Sequence, residues 1–120
     1  MILIKTGSMA KASKFISRFD VWLINLDPTI GGEIKKTRPC VVISPNSINN
    51  TLNTIIIAPL THTNKNYPTR IATNFNSETG NIILQQIRSV YKIRLVKKLG
   101  VVDNTTGEDC LKILRLMFSN

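Results

Sequence analysis

Val21-Trp22-Leu23-Ile24, then Asp27-Pro28-Thr29-Ile30-Gly31-Gly32-Glu33-Ile34-Lys35-Lys36-Thr37-Arg38-Pro39, then Cys40-Val41-Val42-Ile43 is the stretch on which the fold turns. Two short apolar runs rich in β-formers flank a Gly-Gly loop carrying two lysines, and a guanidinium stands just before a rigid proline. The first strand reads as Phe19 to Leu26 and the second as Pro39 to Ser44, ended by Pro45. An arginine fork matches phosphate oxygens, so the loop end is a candidate phosphodiester site.

Outward from this pair, Asn46 to Asn53 is polar and turn-prone, and Thr54 to Leu60 is a third strand. A loop over Thr61 to Thr69 leads to a short strand, Arg70 to Phe75. Asn76 to Asn81 reads as a turn around Gly80, and Ile82 to Val90 as one longer strand. Lys92 to Lys98 is expected to turn tightly into a last strand ending near Val102. The tail has helical spacing, with Leu111, Leu114 and Phe118 at i, i+3 and i+7 and Cys110, Ile113 and Met117 widening the apolar face. Asp103 or Thr106 supplies the N-cap oxygen. Short strands spaced by turns, then one helix, give a mainly β fold: a small, partly open barrel with a packed C-terminal helix.

Met1 to Arg18 is basic and rich in small residues, without the apolar core of a signal peptide, and is expected to be a flexible extension. Residues 19–120 form the single domain. The 16 basic against 7 acidic residues give a net charge of +9, which points to a polyanionic partner, nucleic acid or an acidic protein segment. Aromatic content of 6% and the lack of an amphipathic aromatic helix argue against a membrane surface. Cys40 and Cys110 sit in apolar runs and are expected to be buried free thiols, which suits a reducing cytoplasm. One histidine cannot complete a zinc set with them, so neither metal nor cofactor is called for.

Four blocks then stand in order: Asp20-Val21-Trp22-Leu23-Ile24-Asn25-Leu26-Asp27-Pro28-Thr29, Gly31-x-Glu33 with Thr37-Arg38-Pro39-Cys40-Val41-Val42-Ile43-Ser44, Ile57-Ala58-Pro59-Leu60-Thr61, and Leu84-x-Gln86-Ile87-Arg88-Ser89-Val90. Together they resemble the MazF/PemK toxins over about residues 19 to 118. The resemblance implies an SH3-like, CcdB/PemK-like barrel, a homodimer, and a ribosome-independent endoribonuclease acting on single-stranded RNA. It also implies a cognate acidic antitoxin whose tail occupies the RNA groove.

The residues support that chemistry without a metal. Attack of an RNA 2′-OH on the adjacent phosphorus requires positioning, proton transfer and stabilisation of a phosphorane-like charge. Arg38 suits the charge, and Thr61, at the family's catalytic threonine position, suits positioning; the plainer readings are a rim salt bridge and a strand-end hydroxyl that satisfies loop backbone. His62, the sole histidine, has a suitable proton affinity, but adjacent strand residues face opposite ways. Gly31, Gly32, Glu33, Lys35 and Lys36 form a candidate RNA-contacting loop or a solvated one. Gln85, Gln86 and Arg88 are candidate groove residues, Arg88 alternatively a buried structural arginine.

Some relatives carry an acid at Gln85, a histidine at Gly32 and an arginine at Ile83. Their absence leaves the arginine–threonine arrangement. Lys92, Arg94, Lys97 and Lys98 add nonspecific phosphate attraction. Phe19, Trp22 and Phe75 either stack on bases or pack in the core or a dimer face. The rival readings are a noncatalytic CcdB-like gyrase binder and a degenerate RNA-binding module.

Overall fold

A computed structural model describes residues 15–26, 37–63 and 65–120. The strands are β1 (Asp20–Asn25), β2 (Thr37–Val42), β3 (Thr54–Thr61), β4 (Arg70–Phe75), β5 (Glu78–Ile83), β6 (Arg88–Tyr91) and β7 (Leu95–Val101). One helical turn, α1 (Asn46–Asn49), and a terminal helix, α2 (Asn104–Met117), accompany them. The sheet runs β4-β5-β3-β2-β1-β7, and β6 also pairs with β3. Every pairing is antiparallel.

β3 serves two partners along one edge. Its first half, Thr54 to Ile57, pairs with β6, and its end, Leu60 and Thr61, pairs with β5. A 3₁₀ turn over Leu84–Gln86 carries the chain from one partner to the other, so the expected single strand from Ile82 to Val90 is in fact two strands. The apolar run hid this break because Leu84 is itself fully buried. The expected turn at Asn76–Asn81 is also shorter. Asn76 and Ser77, at φ of 53° and 65°, make the reversal by themselves, and β5 starts at Glu78. Within the polar stretch after Pro45, α1 is held by Asn49, whose amide donates to the Ser44 carbonyl at 3.0 Å.

Residues alternate between the two faces, as strand geometry requires. Val21, Val41, Ile43, Ala58, Leu60 and Ile82 build the inner core with Leu84, Phe19 and Cys110. Trp22, Ile24, Cys40, Val42, Ile55 and Ile57 form a second cluster on the other face, with Ile16, Val90 and Leu95. The sheet curls until Phe75 on β4 rests on Gly100 of β7, a contact that a side chain there would block. α2 closes the inner core. Gly107 lets it lie against the Phe19 ring, and Leu111, Ile113, Leu114 and Met117 pack behind. Phe118, expected on the apolar face, is exposed because the helix ends at Met117. Asp103 is the cap, accepting from the Thr106 backbone N–H at 3.3 Å.

The packed structure includes residues ahead of Phe19. Ile16 is buried, the Ser17 N–H donates to the Asp20 carboxylate at 2.9 Å, and Arg18 Nε donates to the Ile43 carbonyl at 2.7 Å. Both cysteines are buried free thiols, as expected. Among the described residues, no helix is long and apolar enough to cross a membrane and no cluster of His, Cys, Asp and Glu could hold a metal ion.

Candidate nucleic-acid site

The β2–β3 register runs toward the two foremost candidates. β2 and β3 pair Cys40 with Pro59, Val41 with Ala58 and Val42 with Ile57. Continuing that register by two residues sets Arg38 opposite Thr61, on the face that carries Cys40. β3 also pairs Ile57 with Arg88, which places Arg88 on this same face. Both arginines act on the Cys40 thiol through their charge, though its burial dominates and pushes its pKa up to about 12. Two guanidiniums therefore share the sheet face that carries this buried sulfur. The floor is apolar and the rim is cationic.

Thr61 is half-buried at the end of β3, and its Oγ1 accepts from the Thr63 N–H at 3.2 Å. That is the backbone-satisfying role expected of a strand-end hydroxyl. The hydroxyl keeps its own proton to donate to a ligand. Gly80 holds the other side of this residue. A Cβ at Gly80 would collide with the Thr61 carbonyl oxygen, so only glycine permits this approach.

His62 lies just past the strand end, exposed, with Nε2 3.5 Å from Glu78 Oε1. Together they border a largely apolar cleft of about 270 Å³ that includes Leu60, Phe75 and Leu99. Gln85 is exposed on the 3₁₀ turn and its Oε1 accepts from Thr69 Oγ1 at 2.7 Å, which turns its NH₂ outward as a donor. Gln86 and Arg88 are exposed as well, so Arg88 is not a buried structural arginine. Gly31, Gly32, Glu33, Lys35 and Lys36 lie outside the described residues. Of the aromatics, Trp22 and Phe19 are buried, and Trp22 Nε1 donates to the Asp20 carboxylate at 3.2 Å. Arg94, set aside in the sequence as a general phosphate attractor, is tied to β1 by an Nη1 bond of 3.1 Å to the Asn25 carbonyl. It borders a shallow depression with Arg88 and Tyr91. Arg70 went unremarked in the sequence and stands at the far edge of this face; its alternation with Ile71 was the signal available.

Comparison with known proteins identifies the family. The family model described as "PemK-like, MazF-like toxin of type II toxin-antitoxin system" matches residues 17–118. The chain is 31% identical over 83 residues to the endoribonuclease toxin MazF of Escherichia coli K12, covering 68% of this chain and 74% of the relative. In fold it resembles a mycobacterial endoribonuclease solved with its cognate antitoxin (TM-score 0.74, 22% identity, 88% and 98% of the two chains). It also resembles MazF in a MazE–MazF crystal structure from Deinococcus radiodurans (TM-score 0.75, 20% identity, 90% and 100% of the two chains). With this fold and the extent of the match in place, the chain belongs to the PemK-like, MazF-like toxins of type II toxin–antitoxin systems.

Proposed function

We propose that this toxin is an endoribonuclease that cuts single-stranded RNA without a metal ion, by attack of a 2′-OH on the adjacent phosphorus. The observation that carries the reading is the pair of arginines, Arg38 and Arg88, on the sheet face of Cys40, where the continued β2–β3 register sets Thr61 opposite Arg38. The 2′-OH gives up its proton to water as the new P–O2′ bond forms, the P–O5′ bond breaks, and the departing 5′-oxygen takes a proton from water, leaving a cyclic phosphate and a 5′-OH. Arg38 binds the equatorial oxygens, where its planar fork matches the developing charge. Thr61 donates its hydroxyl proton to the scissile group and so fixes it in line. Arg88 supplies a second positive charge to the same phosphate or its neighbour. Gln85 cannot accept a proton, and its outward amide suits a base edge.

A cognate antitoxin with an acidic tail answers the same rim, as the +9 charge invites. The working form is a homodimer, and an RNA substrate places the work in the cytoplasm.

The test is incubation of purified protein with a long single-stranded RNA in EDTA, beside Arg38→Ala, with the ends mapped. Discrete cuts leaving 5′-OH termini, absent in the variant, are expected. Folded wild-type protein that leaves the RNA intact would refute the reading and favour a binding module, with gyrase inhibition as the next assay.

A further inference from the structure

Among the described residues β6 pairs with β3 alone, so its other edge is open. Register says which groups face that edge. The Lys92 N–H donates to the Asn53 carbonyl at 2.8 Å, and the Ile56 carbonyl, opposite Ser89, accepts from the Ile43 N–H at 2.8 Å on the β2 side. Antiparallel residues alternate between hydrogen-bonded and non-bonded pairs, so Ser89 and Tyr91 turn their N–H groups away from β3. Along this edge lies a depression of about 260 Å³ lined by Thr54, Arg88, Ser89, Tyr91 and Arg94.

Its lining suits an anion joined to a flat ring. Arg88 is exposed, and its guanidinium has no hydrogen bond or ion pair with any described residue. Arg94 is fixed in the wall by its Nη1 bond to the Asn25 carbonyl. Ser89 is exposed, and Tyr91 is 61% exposed. Guanidiniums and an outward edge N–H take phosphate oxygens, and an open phenol ring takes a base. A bare strand edge also invites a second chain. A second copy meeting this edge would set Arg88 and Arg94 against like charges, whereas a polyanion meets them with the opposite sign.

We propose that the open edge of β6 is a second RNA subsite, where Tyr91 stacks a base and Arg88, Arg94 and the Ser89 N–H hold the adjoining phosphate. This rests on the endoribonuclease reading above. Tyr91 is opposite Thr54, seven residue rises along β3 from Thr61, a separation of roughly 23 Å. Arg88, opposite Ile57, stands between the two. The subsite therefore lies several nucleotides from the scissile phosphate, and it sets affinity and register without touching the reacting atoms.

Tyr91→Ala and Tyr91→Trp test this at an exposed position, outside the core. Trp22, the one native tryptophan, is buried, so the added indole reports on the subsite. The substrates are single-stranded RNAs of increasing length around a mapped cut site. On the shortest, wild type and both variants are expected to cleave with equal kcat/KM. Extension by several nucleotides on one side lowers KM about tenfold for wild type and Tyr91→Trp, and Tyr91→Ala loses that gain with kcat unchanged. With a 2′-deoxy sugar at the cut to block cleavage, the long RNA quenches the new indole and the shortest does not. Tyr91→Ala matching wild type at every length overturns the subsite, as does an indole blind to the long RNA. An equal loss at every length also overturns it, and one that accompanies dissociation in sedimentation gives the edge to a second copy. If folded wild-type protein cuts no RNA but a long unmodified strand still quenches the indole, the subsite stands and the endoribonuclease reading falls.

Discussion

Replacing Asp20 with alanine tests whether a single buried carboxylate ties the start of β1 to both neighbours. Asp20 is only 1% exposed. Its Oδ2 accepts from the Ser17 N–H at 2.9 Å and from Trp22 Nε1 at 3.2 Å, and Oδ1 lies 3.4 Å from Lys98 Nζ on β7. Alanine strands two donors, each costing about 1–3 kcal/mol when left unmade in a buried place. Relief from burying a carboxylate offsets part of this, leaving a net loss of about 3 kcal/mol. For a domain of this size that lowers the melting temperature by roughly 15 °C. Lys98→Ala removes only the ionic partner, and that side chain is 44% exposed, so water replaces the carboxylate. Its expected cost is below about 1 kcal/mol. Asp20→Asn keeps an acceptor for both donors and turns an NH₂ toward Lys98, for an intermediate loss of about 1–2 kcal/mol. Urea unfolding of the three variants supplies the measurement. If Asp20→Ala costs no more than Lys98→Ala, the hydrogen bonds from Ser17 and Trp22 carry no stability and the reasoning fails.

Other expectations concern the site and its surroundings. Gly80→Ala drives a Cβ into the Thr61 carbonyl and displaces that residue; RNA cleavage should fall about tenfold to a hundredfold while circular dichroism shows a folded chain. Both thiols should resist a disulfide reagent in the native state and react once urea unfolds the protein, since both are buried. The Cys40 thiol, raised from 9.0 to about 12, keeps its proton folded where the unfolded thiol has lost it. Its contribution to stability is therefore intact below about pH 9 and declines toward about pH 12, so Cys40→Ala should flatten the alkaline loss in melting temperature. Asp103 is held below the ordinary carboxylate range by hydrogen bonds from the Thr106 hydroxyl and N–H, so its contribution to the helix is present above that range and lost as acid protonates it. Asp103→Asn should remove that acid-side step from a circular dichroism titration.

Much of the architecture was legible because alternation and turn chemistry act locally. The first two strands and β4 announce themselves through β-formers bounded by Pro, Asn and Asp, and α2 through its spacing. The break at Leu84–Gln86 was hidden, since it depends on β3 offering its edge to two strands in turn. No local residue preference encodes that. The Arg38–Thr61 pair was read from the motif; the recorded antiparallel register of β2 and β3 ends at Cys40 and Pro59, two residues short of it. Arg70 escaped notice because the burial of its Nε and Nη1 is visible only once the chain is packed. His62 shows the limit of chemistry read from residue type alone, for its position beside Glu78 is set by where β3 stops.

The division of β3 between β5 and β6 separates what can drift from what cannot. Arg38 and Thr61 belong to adjoining strands whose register is locked by the core residues between them. Gln85, Gln86 and Arg88 hang from the 3₁₀ turn and the strand after it, so a residue gained or lost there re-aims them without moving the first pair. On the reading proposed above, an edit at this joint alters how RNA is held without displacing Arg38 or Thr61.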